Sequence, residues 1–168
     1  MTQPLRFLFD ECVSRPAVET QIAPSLALYG ADATATHFLL KYPHGVKDTI
    51  WIPEIAREGG WVIVTMDRGK HSKKSERLPI ISRAFNVTHV MLSPGLEKRS
   101  MHFRVVAIEA CWPDLVAVGS APAGTGDVLA MHEIEGGFSF HLRKKTDSLP
   151  PEDAPLVQQD LRSQWDSE

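Results

Sequence analysis

Residues 61–68 have the sequence WVIVTMDR. The first four residues are apolar, the last three of these four are β-branched, and Asp67 follows three positions after them. So short an apolar run is typical of a strand buried on both faces, as in parallel sheets. Glycines at 59, 60 and 69 flank the run and indicate turns. Because ligands of open α/β sheets bind at the carboxyl ends of strands, Asp67 is a candidate functional residue.

The N-terminal region repeats this pattern. Residues 5–9, LRFLF, are rich in apolar strand formers, and Asp10 and Glu11 follow them directly. A parallel sheet would bring the ends of the two strands together, so we expect Asp10 and Asp67 to be neighbours. The alternative is that these aspartates only cap the helices or turns that follow the strands.

Composition is that of an ordinary globular protein. The 168 residues are 43% hydrophobic and 23% charged, sufficient for one domain with an extension. The two cysteines do not indicate a disulfide framework. No apolar run approaches the roughly 20 residues of a membrane span, and no signal-peptide core precedes the first strand. We therefore expect a cytoplasmic protein without membrane contact.

The pattern of apolar residues predicts a β-α-β-α-β-α-β-α order, hence a parallel sheet of about four strands with helices on both faces. Pro24 falls inside the first predicted helix and should kink or split it. Asp48 is expected to be an N-cap, and Pro113 to end the last helix. The predicted helices are 15–29, 49–58, 79–85 and 99–112, the strands after the first are 31–37, 61–64 and 87–92, and residues 38–47 form a loop.

The C-terminal third has a different composition. We divide the chain into an α/β domain at 1–112, a connector with a β-hairpin at 113–146, and an acidic flexible tail at 147–168. The hairpin is predicted from two alternating segments, 128–134 and 138–143, around Glu135 and two glycines. The tail carries a net charge of −5 and the rest of the chain +2.

Carboxylates dominate the expected crevice. Asp48 precedes the helix between the two acidic strand ends, so it can point into the same crevice as Asp10 and Asp67. Carboxylates that face one another repel unless a cation neutralises them. An all-oxygen site suits Mg²⁺ or Mn²⁺, which would favour phosphodiester hydrolysis or phosphoryl transfer.

A basic loop begins beside Asp67. Its cations could bind the phosphates of a single-stranded nucleic acid, although a solvated surface loop has the same composition. Its basic residues are Arg68, Lys70, Lys73, Lys74 and Arg77.

Three segments together resemble the PIN-like domain family, and more narrowly the branch related to VapC-type toxins. These are residues 7–11 (FLFDE), Asp48 with 55–58 (IARE), and 62–67 (VIVTMD). They follow the order D-E, D, A-R-E and V-x-T-x-D, and the resemblance extends from residue 5 to about 95. One departure is that residues 93–95 are SPG, where many PIN nucleases have a further acid.

The resemblance implies a three-layer α/β/α PIN-like fold and a metal-dependent endoribonuclease, with a C-terminal hairpin added to it. Asp10, Asp48 and Asp67 match the family's acidic metal site, and Glu11 is a fourth catalytic candidate. It also implies RNA as substrate, the toxin role in a toxin–antitoxin pair with a cognate antitoxin protein, and a homodimer.

Two other functions remain open. A catalytically silent PIN-like module would use the crevice to hold RNA or a protein. A receiver-like signalling domain also has an acidic pair and a strand-terminal aspartate, but it needs a Lys-Pro that the chain does not offer after a later strand. The seven histidines lack the spacing of a zinc site, and none is assigned to the crevice.

Overall fold

The computed structural model describes residues 3–67, 77–120 and 126–144. These residues form a six-stranded sheet in the order β2-β1-β3-β4-β5-β6. The first five strands are parallel, and β6 pairs with β5 in the antiparallel direction. The strands are β1 (Leu5–Phe9), β2 (Ala33–His37), β3 (Trp61–Thr65), β4 (Thr88–Leu92), β5 (Gly126–Ile134) and β6 (Gly137–Lys144).

Helices connect the strands. None of those in the described residues is both long and apolar enough to cross a membrane. The helices are α1 (Arg15–Ala17), α2 (Ala23–Tyr29), α3 (Phe38–Lys41), α4 (Asp48–Glu58), α5 (Leu78–Ala84), α6 (Pro94–Glu97), α7 (Met101–Ala110) and α8 (Trp112–Gly119), with a π-helical turn at Val18–Ile22 between α1 and α2.

The sheet has a separate apolar core on each face. Alternate residues of a strand point to opposite faces, so Phe7 and Val62 join one core while Leu8 and Ile63 join the other. Helices α2, α7 and α8 cover the first face, and α4 and α5 cover the second. The predicted α/β class and three-layer arrangement are confirmed.

Pro24 changes the first helical connection without breaking it. The N–H of Ala23 donates to the Val18 carbonyl, five residues earlier, which makes one π-helical turn. Pro24 lies in the first turn of α2 and has no N–H to donate. The predicted helix 15–29 is therefore divided into α1 and α2 by one widened turn, which agrees with the prediction that Pro24 kinks or splits it.

Two helix boundaries were predicted wrongly. Lys47 is the N-cap of α4, and Asp48 is its first residue, with no capping bond from the side chain of Lys47. Pro113 does not end a helix but lies in the first turn of α8, where a missing N–H is tolerated. The expected connector is thus helical as far as Gly119, and residues 121–125 lie outside the described residues. Residues 38–41, expected in a loop, form α3.

The hairpin is confirmed and continues the central sheet. Strand β5 pairs with β4 through His89 and Gly126 at one end and Leu92 and Leu129 at the other. The ring of Phe103, on α7, contacts Phe138 and Phe140 of β6 at centroid distances of 5.2 and 5.7 Å. The acidic tail, 147–168, lies outside the described residues.

The pairing of β5 with β4 can be tested at Gly126. A Cβ atom there would lie 2.8 Å from Cε1 and Nε2 of the His89 ring, which is buried. We expect Gly126→Ala to lower the free energy of unfolding by about 1–3 kcal/mol through overpacking. Gly137→Ala is the control, because a Cβ at Gly137 meets nothing within 4 Å. Chemical denaturation measures both, and equal stability of the two variants would contradict this strand register.

Candidate active site

The cleft lies where the order of strands changes direction. The chain leaves β1 through α1 and α2 to reach β2 on one side, and leaves β3 through α5 to reach β4 on the other. These connections cover opposite faces of the sheet, so a crevice opens between the carboxyl ends of β1 and β3. The cleft has a volume of about 460 Å³, and Asp10, Asp48 and Asp67 all line it, as does Glu11.

Thr65 connects the two acidic strand ends. Its hydroxyl donates a hydrogen bond to Oδ2 of Asp10 and accepts one from the backbone N–H of Asp67 at 2.9 Å. The other carboxylate oxygen of Asp10 accepts from the backbone N–H of Cys12 at 2.9 Å. The threonine in the V-x-T-x-D pattern therefore orients two aspartates with one hydroxyl. It binds the side chain of Asp10 and the backbone of Asp67.

Burial and neighbouring charge both act on Asp10. Desolvation raises the pKa of its carboxyl, the hydrogen bonds from Thr65 and Cys12 offset part of that rise, and the charge of Asp67 adds to it. The negative charge is thus costly at this position in the absence of a cation.

Asp48 is held by a hydrogen bond from the side chain of Trp51. Its Oδ1 accepts a hydrogen bond from the indole N–H of Trp51, one helical turn later, at 2.9 Å. Burial raises the pKa of Asp48 to about 6, the Trp51 hydrogen bond partly offsets this, and the charges of Asp67 and Asp10 add to it. The three carboxylates are therefore coupled electrostatically across the cleft.

Glu11 lies on the rim. Its side chain is 77% exposed, and its Oε1 is 3.5 Å from Nε2 of His44, which also lines the cleft. Glu11 is close enough to contribute charge, but it is far less buried than Asp10.

Sequence reasoning missed the two histidines that line the cleft, His37 and His44. His37 ends β2 and is buried, and its Nδ1 accepts a hydrogen bond from the backbone N–H of Leu39 at 3.1 Å. Burial lowers the pKa of His37, which favours the neutral form of the ring. Its position at a strand end, like those of Asp10 and Asp67, was the signal that could have found it.

Of the basic residues of the loop, only Arg77 belongs to the described part of the chain, and it immediately precedes α5. Arg68, Lys70, Lys73 and Lys74 lie outside the described residues. Asp67 and Leu78, which precede and follow the loop in the sequence, both line the cleft.

The donor set fits a hard divalent cation. No three His, Cys, Asp or Glu side chains within the described ranges converge closely enough to form a ready metal cluster. Mg²⁺, however, keeps several of its waters and usually binds through one or two carboxylates. Asp10, Asp48 and Asp67 supply the oxygen ligands that such an ion prefers, and the charge of Asp67 raises the pKa of the other two carboxyls.

A family model described as a PIN-like domain matches residues 5–90, slightly more than half of the chain. The chain belongs to the PIN-like domain family. The match covers β1 to β3, the first three residues of β4 and all the acidic residues of the cleft. No curated protein and no solved structure matches the chain significantly. PIN-like domains are commonly nucleases, bind nucleic acids and generally use divalent metal ions.

The position that carries a further acid in many PIN nucleases has a structural role in this PIN-like domain. The Ser93 hydroxyl accepts a hydrogen bond from the Leu96 N–H at the start of α6, at 3.3 Å. The backbone N–H of Ser93 donates to the Leu129 carbonyl of β5 at 2.9 Å. Ser93 thus caps a helix and joins β5, and it adds no carboxylate.

The raised pKa of Asp48 predicts a pH-dependent gain in stability for Asp48→Asn. The proton on Asp48 favours the folded state, so its contribution is complete below the usual pKa of 3.8 and is lost as pH rises through about 6. Asn keeps the acceptor for Trp51 and carries no charge. At pH 7.5, without metal, we expect unfolding to cost about 1 kcal/mol more, after allowance for solvent screening.

Urea denaturation at pH 7.5 and pH 4 measures the effect, and the gain should disappear at the lower pH. Asp32→Asn is the control, because Asp32 is exposed and does not line the cleft. A gain of equal size at both pH values would mean that the charge of Asp48 is not its cause.

Proposed function

We propose that this PIN-like domain is a metal-dependent endoribonuclease that hydrolyses RNA phosphodiester bonds. The observation that carries the proposal is the convergence of Asp10, Asp48 and Asp67, from two strand ends and one helix start, on a single cleft. Membership of the PIN-like family, whose domains are commonly nucleases, supports a nuclease function for this cleft.

The three aspartates would hold Mg²⁺ or Mn²⁺, with Glu11 as a further catalytic acid. Such an ion, when bound, lowers the pKa of a water and stabilises negative charge on a phosphoryl oxygen. Thr65 and the Cys12 N–H keep Asp10 in one orientation, and Trp51 does the same for Asp48. The chain's own contribution is to preorganise carboxylates that would otherwise turn away from one another.

The resemblance to VapC-type toxins supports a narrower proposal. In it, the protein is the cytoplasmic toxin of a toxin–antitoxin pair, is inhibited by a cognate antitoxin protein and forms a homodimer. Co-expression with the product of a neighbouring small reading frame tests this proposal. Relief of growth inhibition would support the pairing, and unchanged inhibition would argue against it.

A catalytically silent PIN-like module that binds RNA or a protein is the second candidate. The observation in its favour is Ser93, which caps α6 where many relatives carry an acid. A smaller set of carboxylates would bind the ion more weakly and leave binding as the only activity.

Replacing Asp67 separates these candidates. Asp67→Asn removes one charge and keeps the backbone N–H that donates to Thr65. We expect at least about tenfold weaker Mn²⁺ binding by calorimetry, in the range found when metal sites are perturbed, and a parallel loss of RNA cleavage. Asp32→Asn should leave both unchanged. Unaltered Mn²⁺ affinity in Asp67→Asn would remove Asp67 from the site, and Mn²⁺ binding without any cleavage by the unsubstituted protein would favour the silent module.

The basic loop is proposed to bind the RNA backbone. Changing Lys70, Lys73 and Lys74 to Ser should weaken RNA binding and reduce the slope of log affinity against log salt by about two, since each phosphate contact on a single strand contributes about 0.7. A salt titration followed by fluorescence anisotropy measures the slope. If it stayed the same, the loop would be ordinary solvated surface.

A further inference from the structure

The cleft is lined by residues of two chemical kinds. Asp10 and Asp67 follow the carboxyl ends of β1 and β3, and Asp48 begins α4, while apolar side chains, which we call the apolar wall, line the rest of the same cleft. A volume of about 460 Å³ falls in the range of roughly 300–1,000 Å³ that proteins use to enclose whole small molecules. The residues of the apolar wall are Phe38, Leu39, Val46, Trp51, Met66 and Leu78.

The apolar wall contains both buried and accessible residues. Trp51 and Leu78 are 3% and 2% exposed, and we call these two residues the floor of the cleft, whereas Leu39 is 40% exposed. The ring of Phe38 contacts Trp51 edge-on at 5.1 Å and Tyr42 at 5.4 Å between centroids. These two contacts hold the Phe38 ring in one orientation, and it remains partly exposed to the cleft.

The floor is joined to the carboxylate side by one hydrogen bond. The indole of Trp51 packs under Phe38 and donates to Oδ1 of Asp48 at 2.9 Å. The protein therefore sets the distance between an apolar group on the wall and a phosphate that the proposed Mg²⁺ or Mn²⁺ would hold at the carboxylates. A ligand that fits must combine a flat apolar part with a phosphate a few bonds away, and a nucleotide unit has this form.

We propose that the apolar wall is a subsite for one unstacked nucleobase of single-stranded RNA, next to the phosphate at the acidic side. This inference rests on the proposed ribonuclease function and adds a base-binding subsite to it. A base in a duplex is stacked on both faces and paired at its edge, so it cannot lie against Phe38 and Leu39. Aromatic and apolar surfaces accept any base, so the subsite selects unpaired RNA and not a sequence.

The first experiment uses the unmodified protein and short fluorescent uridine oligonucleotides with phosphorothioate linkages, which slow hydrolysis. One base at a time is replaced by an abasic ribose, and affinity is measured by anisotropy in the presence of Mg²⁺. We expect about tenfold weaker binding when the abasic position coincides with the subsite, as for loss of one stacked base, and little change elsewhere. The corresponding duplex should bind at least about tenfold more weakly than the single strand.

The second experiment compares two neighbouring leucines of α3. Leu39 lines the cleft, whereas Leu40 is 46% exposed and does not. Leu39→Ser should reduce affinity for the intact strand and leave affinity for the abasic strand unchanged, and Leu40→Ser should change neither. Phe38→Leu, which keeps an apolar side chain without a ring, should abolish most of the difference between the two strands.

Each outcome separates the subsite from the nuclease. Position-dependent loss of affinity with abasic RNA, without cleavage of ordinary RNA, would leave the subsite in place and refute the ribonuclease. Cleavage with equal affinity for intact and abasic strands at every position would leave the ribonuclease and overturn the subsite. Equal binding of duplex and single strand, equal effects of Leu39→Ser and Leu40→Ser, or no RNA binding would also overturn it.

Discussion

The hydroxyl of Thr65 is the contact on which the geometry of the cleft depends. It donates to the Asp10 carboxylate and accepts from the Asp67 backbone, so it joins the ends of two parallel strands beyond the last bond of their ladder. A serine could make both bonds with fewer restrictions on its side chain, but a β-branched residue is stiffer at χ1. The stiffness suits a position where two acidic residues must be kept at a fixed separation.

Hydrogen-bond donors in the cleft partly offset the free-energy cost of placing negatively charged carboxylates close together. Burial makes ionisation of Asp10 and Asp48 less favourable, and each retains a donor that partly compensates. These donors come from a hydroxyl, a backbone N–H and an indole, none of which carries a positive charge. Because these donors are uncharged, they leave the negative charges of Asp10 and Asp48 in place, and a bound cation can neutralise them. Stability has been given up locally for this, as is usual at functional sites.

Local patterns allowed much of this to be predicted, and long-range contacts account for most of the remainder. Strands β1, β3 and β4 could be recognised because an apolar run with turn residues at its ends is a local signal. The function of Thr65 could not be recognised, because its partner Asp10 lies on another strand. Pro113 is compatible with the end of one helix or the start of the next, and in the structure it starts α8, whose Trp112 and Leu115 are buried in the core. Asp48 lines the same cleft as Asp10 and Asp67, but the prediction that it is an N-cap was wrong, since it is the first residue of α4 and its side chain accepts from Trp51.

The pairing of β4 with β5 means that the C-terminal end of the family match is not the end of a folding unit. The matched region stops at residue 90, inside β4, yet four residues of that strand pair with β5 and the Ser93 N–H donates to Leu129. Strand β4 is buried along its whole length. A fragment that stopped at residue 90 would shorten this strand and leave one side of it without hydrogen-bond partners, next to exposed apolar side chains. Such an edge invites pairing between copies, so the residues outside the match protect those inside it from aggregation.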